Sequence, residues 1–173
     1  MGRARPDASE CIERIRSSVS AVEFGYKIQA VAAHILLRLG YRIEAVNRAG
    51  HPDIVAIRGG REFRFEVEAE AFGPRPRQLT DADFASLIET PNIVGYYALT
   101  ISFPKPHWVL VPASKLVRRT RPSSNRLLKA LSDKEYSAEW TREYVGLLQD
   151  ACRQIRLASF SNLCKMARRG QRL

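Results

Sequence analysis

Residues 50–70, GHPDIVAIRGGREFRFEVEAE, leave a chain few ways to fold. Their second half alternates, with Phe63, Phe65, Val67 and Ala69 set against Arg64, Glu66, Glu68 and Glu70. Side chains on a strand have a period of two, so one face is apolar and the other carries the carboxylates. The first half, from Pro52 to Ile57, is an apolar, β-branched run of strand length, and Gly59-Gly60 between the halves is a hairpin turn signal. Pairing across that turn brings Asp53, near the far end of its strand, alongside the part of the partner that holds Glu66 to Glu70. Asp53, Glu66, Glu68 and Glu70 then share one patch. Like charges in contact raise one another's pKa, so such a patch persists when some acids stay protonated, a base intervenes or a divalent cation sits among them. Hard oxygen ligands with room for water suit Mg²⁺ or Mn²⁺. The plainer reading of Glu66, Glu68 and Glu70 is the wet face of an edge strand, neutralised by nearby arginines.

The acids run against the composition. The chain of 173 residues carries a formal charge of +10, and its pI is near 10.0. A basic protein enclosing an acidic pocket suits a polyanion held by its phosphates and attacked at a metal; an arginine-rich surface with no nucleic-acid target is the alternative. With 45% hydrophobic residues the length supports one well-buried core, so residues 1–173 are expected to form a single domain. No stretch is apolar for the ~20 residues a membrane span requires, and the start, MGRARPDASE, lacks the apolar centre of a secretory signal, which makes the cytoplasm the default location. Cys11, Cys152 and Cys164 are odd in number and lack CxxC spacing, which argues against a disulfide framework and a zinc site.

Along the chain, Cys11, Ile12, Ile15 and Val19 recur at helical spacing, with Ser9 as the N-cap of a first helix. A second helix follows from Val22 to Leu39 and stops at Gly40. Residues 41–46 alternate into a strand, and the hairpin follows. After a Pro- and Arg-rich loop, Thr80 or Asp81 caps a helix carrying Phe84, Leu87 and Ile88 that ends at Pro91. Residues 93–100 and 107–111 are apolar strand runs, in which Trp108 and the tyrosines read as core. Residues 115–129 form the strongest basic patch, with Arg118, Arg119 and Arg121 at its centre. Residues 134–157 show a broad apolar helical face, and a last, basic helix closes the chain.

At Pro52-Asp53 and Glu66-Val67-Glu68 the sequence resembles the PD-(D/E)XK nuclease superfamily, the restriction-endonuclease-like fold. There a Pro-Asp on one strand is followed by an acid-x-lysine triplet on the next. Glu68 stands where the lysine is usual. The triplet is also matched by Glu68-Ala69-Glu70; Glu66 is preferred because Phe65 and Val67 flank it. The resemblance covers about residues 22–111 and implies an α/β fold with an αβββαβ core, a mixed central sheet flanked by helices. Residues 112–173 would be a basic, C-terminal helical extension.

The activity implied is Mg²⁺- or Mn²⁺-dependent hydrolysis of DNA phosphodiester bonds by an endonuclease of restriction, repair or junction-resolving type. Asp53 and Glu66 would hold the metal with the carbonyl of Val67, and Glu68 would accept a proton or bind a second metal. In such nucleases the helix before the first strand often adds an acid; Glu23, or Gln29 as a neutral amide, stands for it here. Lys27 is a substitute for the missing ammonium, and His51, beside Asp53, could orient a phosphate or exchange a proton. Arg75, Arg77 and Gln78, just past the acidic strand, would meet the DNA backbone. Cutting both strands of a duplex favours a homodimer. The rival class is a non-catalytic nucleic-acid-binding or assembly protein that keeps the fold with an idle site.

Overall fold

A computed structural model describes residues 7–49, 52–70, 94–101, 106–112 and 134–173. Its centre is a meander of β1 (Arg42–Val46), β2 (Ile54–Arg58) and β3 (Arg61–Glu70). Gly59 and Gly60 take φ of 58° and 72°, left-handed values that a two-residue hairpin turn requires and side chains resist. From that turn β2 and β3 pair antiparallel, Arg58 with Arg61 through to Ile54 with Phe65. On the outer side of β2, β1 is also antiparallel, with a bulge between Ile43 and Ala45. Beyond β3, β4 (Val94–Ile101) runs parallel to it and β5 (His107–Pro112) antiparallel to β4. The sheet is thus mixed, in the order β1-β2-β3-β4-β5.

Four helices accompany it among the described residues: α1 (Ala8–Ser17), α2 (Ala21–Arg38), α3 (Lys134–Leu157) and α4 (Phe160–Arg168). Asp7, not Ser9, caps α1, its carboxylate accepting from the Ser9 amide at 3.3 Å. The local sequence offers both, and α1 begins earlier than Ser9 as cap would allow. Ser20 caps α2, and Gly40 at φ 84° turns the chain away from it toward β1. The expected helix at 80–90 lies outside the described residues.

The apolar face of the hairpin sets the core. Ile54, Ala56, Phe65 and Val67 are buried in one cluster with Ile28 and Ile35 of α2. Trp140 and Tyr144 of α3 complete it: Trp140 lies 5.6 Å from Phe65 and 5.3 Å from Trp108, ring centre to ring centre. Trp108 is only 1% exposed, which fixes it as a core residue. The helix α3 also shields the outer edge of β5. The Trp108 amide donates to Thr141 Oγ1 at 2.9 Å and the Leu110 amide to Ser137 Oγ at 3.0 Å, so this part of the edge is not left open for another strand.

Two long-range links correct the expectations from sequence. Cys11 on α1 and Cys152 on α3, with Cα atoms 5.7 Å apart, are joined as a disulfide, while Cys164 is a buried thiol. Spacing along the chain says nothing about sulfurs that packing of α1 on α3 brings together. Lys27 is the second correction. Its Nζ donates to the carbonyls of Ile155, Arg156 and Ala158 at 3.0, 2.8 and 2.8 Å, closing the C-terminal end of α3. Those carbonyls have no partner within the helix and carry its negative pole, so a cation is stabilised there. Among the described residues no helix is long and apolar enough to cross a membrane.

Candidate active site

The site arises because β3 outruns β2. Their last register pair is Ile54 with Phe65, whereas β3 continues beside β4 from Glu66, opposite Tyr97, to Glu70, opposite Ile101. Pro52 has no N–H to extend the ladder, and Asp53 sits in a bend ahead of β2. The edge of β3 past Phe65 therefore faces a gap where its former partner has turned off.

Asp53 fills that gap with its side chain. The Val67 amide donates to Asp53 Oδ2 at 2.8 Å, replacing the missing strand by a carboxylate oxygen. From the other side, Gln29 Nε2 on α2 donates to Asp53 Oδ1 at 3.1 Å. The Asn47 amide holds the Asp53 carbonyl at 2.7 Å, continuing the β1–β2 pairing one step past Val46 and Ile54. One aspartate is thus fixed from β1, α2 and β3. Such bonds lock its rotamer. Both main-chain groups of a strand residue project toward the same edge, so the Val67 carbonyl is aimed at the gap as well.

Glu66 is the next residue on β3 after Phe65, as Asp53 is the residue before Ile54 on β2. It is 9% exposed, unusual for a carboxylate. Glu68, half-buried, follows on the same face of β3. Glu62 belongs to that face too, but accepts from Arg64 Nε at 2.9 Å near the hairpin turn. The remaining polar feature is Gln29 Oε1, which is buried and has no hydrogen-bond partner. Trp108 Nε1 and His34 Nδ1 share that condition. Only the Gln29 atom belongs to a side chain that also holds an acid.

Among the described residues no group of three or more His, Cys, Asp or Glu side chains is arranged to hold a metal ion. The oxygens of the residues that border the gap are those of Asp53, its strand neighbour Glu66, the Val67 carbonyl and the unpartnered amide of Gln29. All are hard oxygens. Carboxylate and neutral oxygens of this kind are the donor types Mg²⁺ accepts, since that ion is commonly bound by one or two carboxylates together with water and substrate phosphate. The buried amide oxygen without a donor is the atom such an ion would satisfy.

Other residues singled out in the sequence stand elsewhere. Glu23 is exposed in the first turn of α2, about 9 Å along the helix from Gln29 at 1.5 Å per residue. Lys27 points at the end of α3 rather than at the acids. Desolvation lowers its pKa, opposed by the charge of Glu23. Glu70 ends β3. His51, Arg75, Arg77, Gln78, Arg118, Arg119 and Arg121 lie outside the described residues. The bond that sequence reasoning did not anticipate is the one from the Val67 amide; a strand that overruns its partner leaves no mark in the residue pattern.

The fold is that of a mixed α/β protein, with Asp53 held by Gln29 and the Val67 amide where the meander opens. No family model and no curated protein matches the chain. Among solved structures it is similar to Hjc of Archaeoglobus fulgidus, a Holliday junction resolvase from an archaeal hyperthermophile, with a TM-score of 0.44 and 21% identity. That alignment covers 59% of this chain and 90% of the other.

Proposed function

We propose that this protein is a metal-dependent DNA endonuclease built on the PD-(D/E)XK plan. The observation that carries the reading is the Asp53 carboxylate, clamped by Gln29 and the Val67 amide beside a buried Glu66 in an otherwise cationic molecule. Asp53 and Glu66 would hold Mg²⁺ or Mn²⁺, with the Val67 carbonyl and Gln29 Oε1 as neutral ligands. When bound, the ion supplies Lewis acidity toward a phosphate oxygen and a water of lowered pKa.

The chain's own residues do the rest. Gln29 and the Val67 amide keep the Asp53 carboxylate in one rotamer before substrate arrives, so that no reorganisation is required at the moment of reaction. Burial of Glu66 keeps water from competing for its oxygens. Glu68 is the acceptor for the proton that leaves the attacking water. With Lys27 engaged at α3 and Glu68 in the usual lysine position, neither residue supplies positive charge to the phosphate. That same feature favours a second reading, a nucleic-acid-binding protein with an idle site.

DNA as substrate keeps the cytoplasm as the expected compartment, although the Cys11–Cys152 bond is of a kind that persists under oxidising conditions. A two-fold homodimer would place two sites for cutting both strands. The test is cleavage of plasmid, linear duplex and four-way-junction DNA with Mg²⁺ or Mn²⁺. Cleavage abolished by Asp53→Ala and by Glu66→Ala supports the endonuclease. Binding without cleavage under either metal supports the second reading.

A further inference from the structure

The last 23 residues, 151–173, contain Arg153, Arg156, Lys165, Arg168, Arg169 and Arg172 and no Asp or Glu. Several arginines elsewhere are paired, Arg14 with Glu10, Arg16 with Glu13, Arg38 with Asp150 and Arg64 with Glu62, whereas Arg48, Arg58, Arg61 and Arg142 are exposed singly and do not form a run. Lys165, Arg168, Arg169 and Arg172 are exposed and form no ion pair with any described residue. A run of exposed cations without counter-charge repels itself and is stabilised by an external polyanion.

Its placement says which polyanion. The inner face of α4, Leu163, Cys164 and Ala167, is buried. Leu163 and Cys164 pack with Ala30 of α2, and Val46 at the end of β1 lies against the same cluster. The ring Nε2 of His34 meets the Leu163 carbonyl at 3.0 Å. Ala30 follows Gln29, which holds Asp53 Oδ1, and Val46 precedes Asn47, which holds the Asp53 carbonyl. The helix is therefore docked one residue away from two of the groups that fix Asp53. Its apolar face is already covered by protein, so it has none to insert into a bilayer. What it presents outward is polar, Ser161 and Asn162 beside the four cations.

We infer that the outer face of α4 and the segment to Arg172 is a phosphate-binding surface that seats the DNA backbone beside Asp53 and Glu66. It rests on the endonuclease reading for the choice of DNA. The experiment is anisotropy of a labelled duplex over a series of salt concentrations, with EDTA present so that cleavage plays no part. For the wild type, log Kobs falls linearly with log salt. In K165Q/R168Q/R169Q/R172Q the affinity drops and the slope is smaller by about 3 to 4, close to one unit for each phosphate no longer neutralised. The charge-keeping variant K165R/R168K/R169K/R172K retains the wild-type slope, and circular dichroism shows both variants folded.

A wild-type slope in the glutamine variant overturns the proposal and leaves the endonuclease intact. A wild type that ignores DNA and binds anionic phospholipid vesicles or an acidic protein overturns it too. Should no metal support cleavage while the glutamine variant still loses slope, the surface stands and the endonuclease falls.

Discussion

Lys27 and Gln29 are two residues apart on α2 and point to nearly opposite sides of it. Lys27 is 2% exposed, and its ammonium reaches three carbonyls at the end of α3. Gln29 gives its amide N–H to Asp53 and leaves its own oxygen, buried, with nothing to accept from. A buried polar group that is fully matched holds the fold, whereas one left short calls for a separate explanation, which the proposed function supplies at Gln29. Changes on the Lys27 side should cost stability without chemistry, and changes on the Gln29 side should do the reverse. The largest effect is expected from Lys27→Met, which strands the carbonyls at the end of α3. A loss of at least about 3 kcal/mol is expected in urea unfolding, since each of the three acceptors left unmatched costs roughly 1–3 kcal/mol and the two part-buried ones fall at the low end. DNA cleavage per folded molecule should be unchanged. Lost cleavage with full stability would break the comparison.

The bond between Cys11 and Cys152 belongs to the same structural side, tying α1 to α3 across 141 residues of sequence. Loop-closure entropy for a span of that size amounts to about 5 kcal/mol, and native disulfides commonly deliver about 2–4. Unfolding with and without reductant should therefore differ by about 2–4 kcal/mol, and Cys11→Ala should abolish the difference. Cleavage by the reduced, folded protein should persist. An activity that follows the bond would join the two sides that Lys27 and Gln29 hold apart.

What could be read in advance divides along the same line. The hairpin was legible because a period of two and a Gly-Gly turn are local signals, and α2 and α3 because their apolar stripes repeat at helical spacing. Asp53 and Glu66 could be named as candidates because they are acids on neighbouring strands, and Gln29 because the family resemblance implies a ligand on the preceding helix. The destination of Lys27 could not, since it depends on how α2 meets the end of α3, a meeting of residues more than a hundred apart. The disulfide escaped for the same reason. The overrun of β3 past β2 escaped too, because Glu66 to Glu70 read as strand whether or not a neighbour runs beside them. Cap choice failed on a smaller scale, with Asp7 and Ser9 both competent and two residues apart.

On the chemical side, Gln29→Leu removes both the bond to Asp53 and the orphaned oxygen. A lost bond to a charged acceptor and the relief of an unmatched buried atom are of similar size, so stability should change by no more than about 1 kcal/mol. Mn²⁺ affinity, read by calorimetry, should weaken about tenfold, the low end for losing a group that orients a ligand. Gln29→Glu should tighten it by adding a third carboxylate. Unchanged Mn²⁺ binding in both variants would make Gln29 a packing residue like its neighbours.

The smallest effect sharpens the structural side by way of pH. His34, 1% exposed, has its pKa lowered from 6.5, chiefly by desolvation; the bond to the Leu163 carbonyl opposes the shift and the charge of Arg38 adds to it. The neutral ring donates from Nε2 to that carbonyl, so Nδ1 must carry any added proton, and Nδ1 has no acceptor. The unfolded chain thus takes up the proton first as pH falls. Stability should be fully present above about pH 6.5 and decline below it until the folded ring itself protonates, with a slope of at most about 1.4 kcal/mol per pH unit for one proton. His34→Gln can keep a donor toward Leu163 and cannot titrate, so its stability should be flat between pH 7 and about 5, where carboxylates begin to contribute. An equal slope in both proteins would place the titrating group elsewhere and leave His34 a silent strut between α2 and α4.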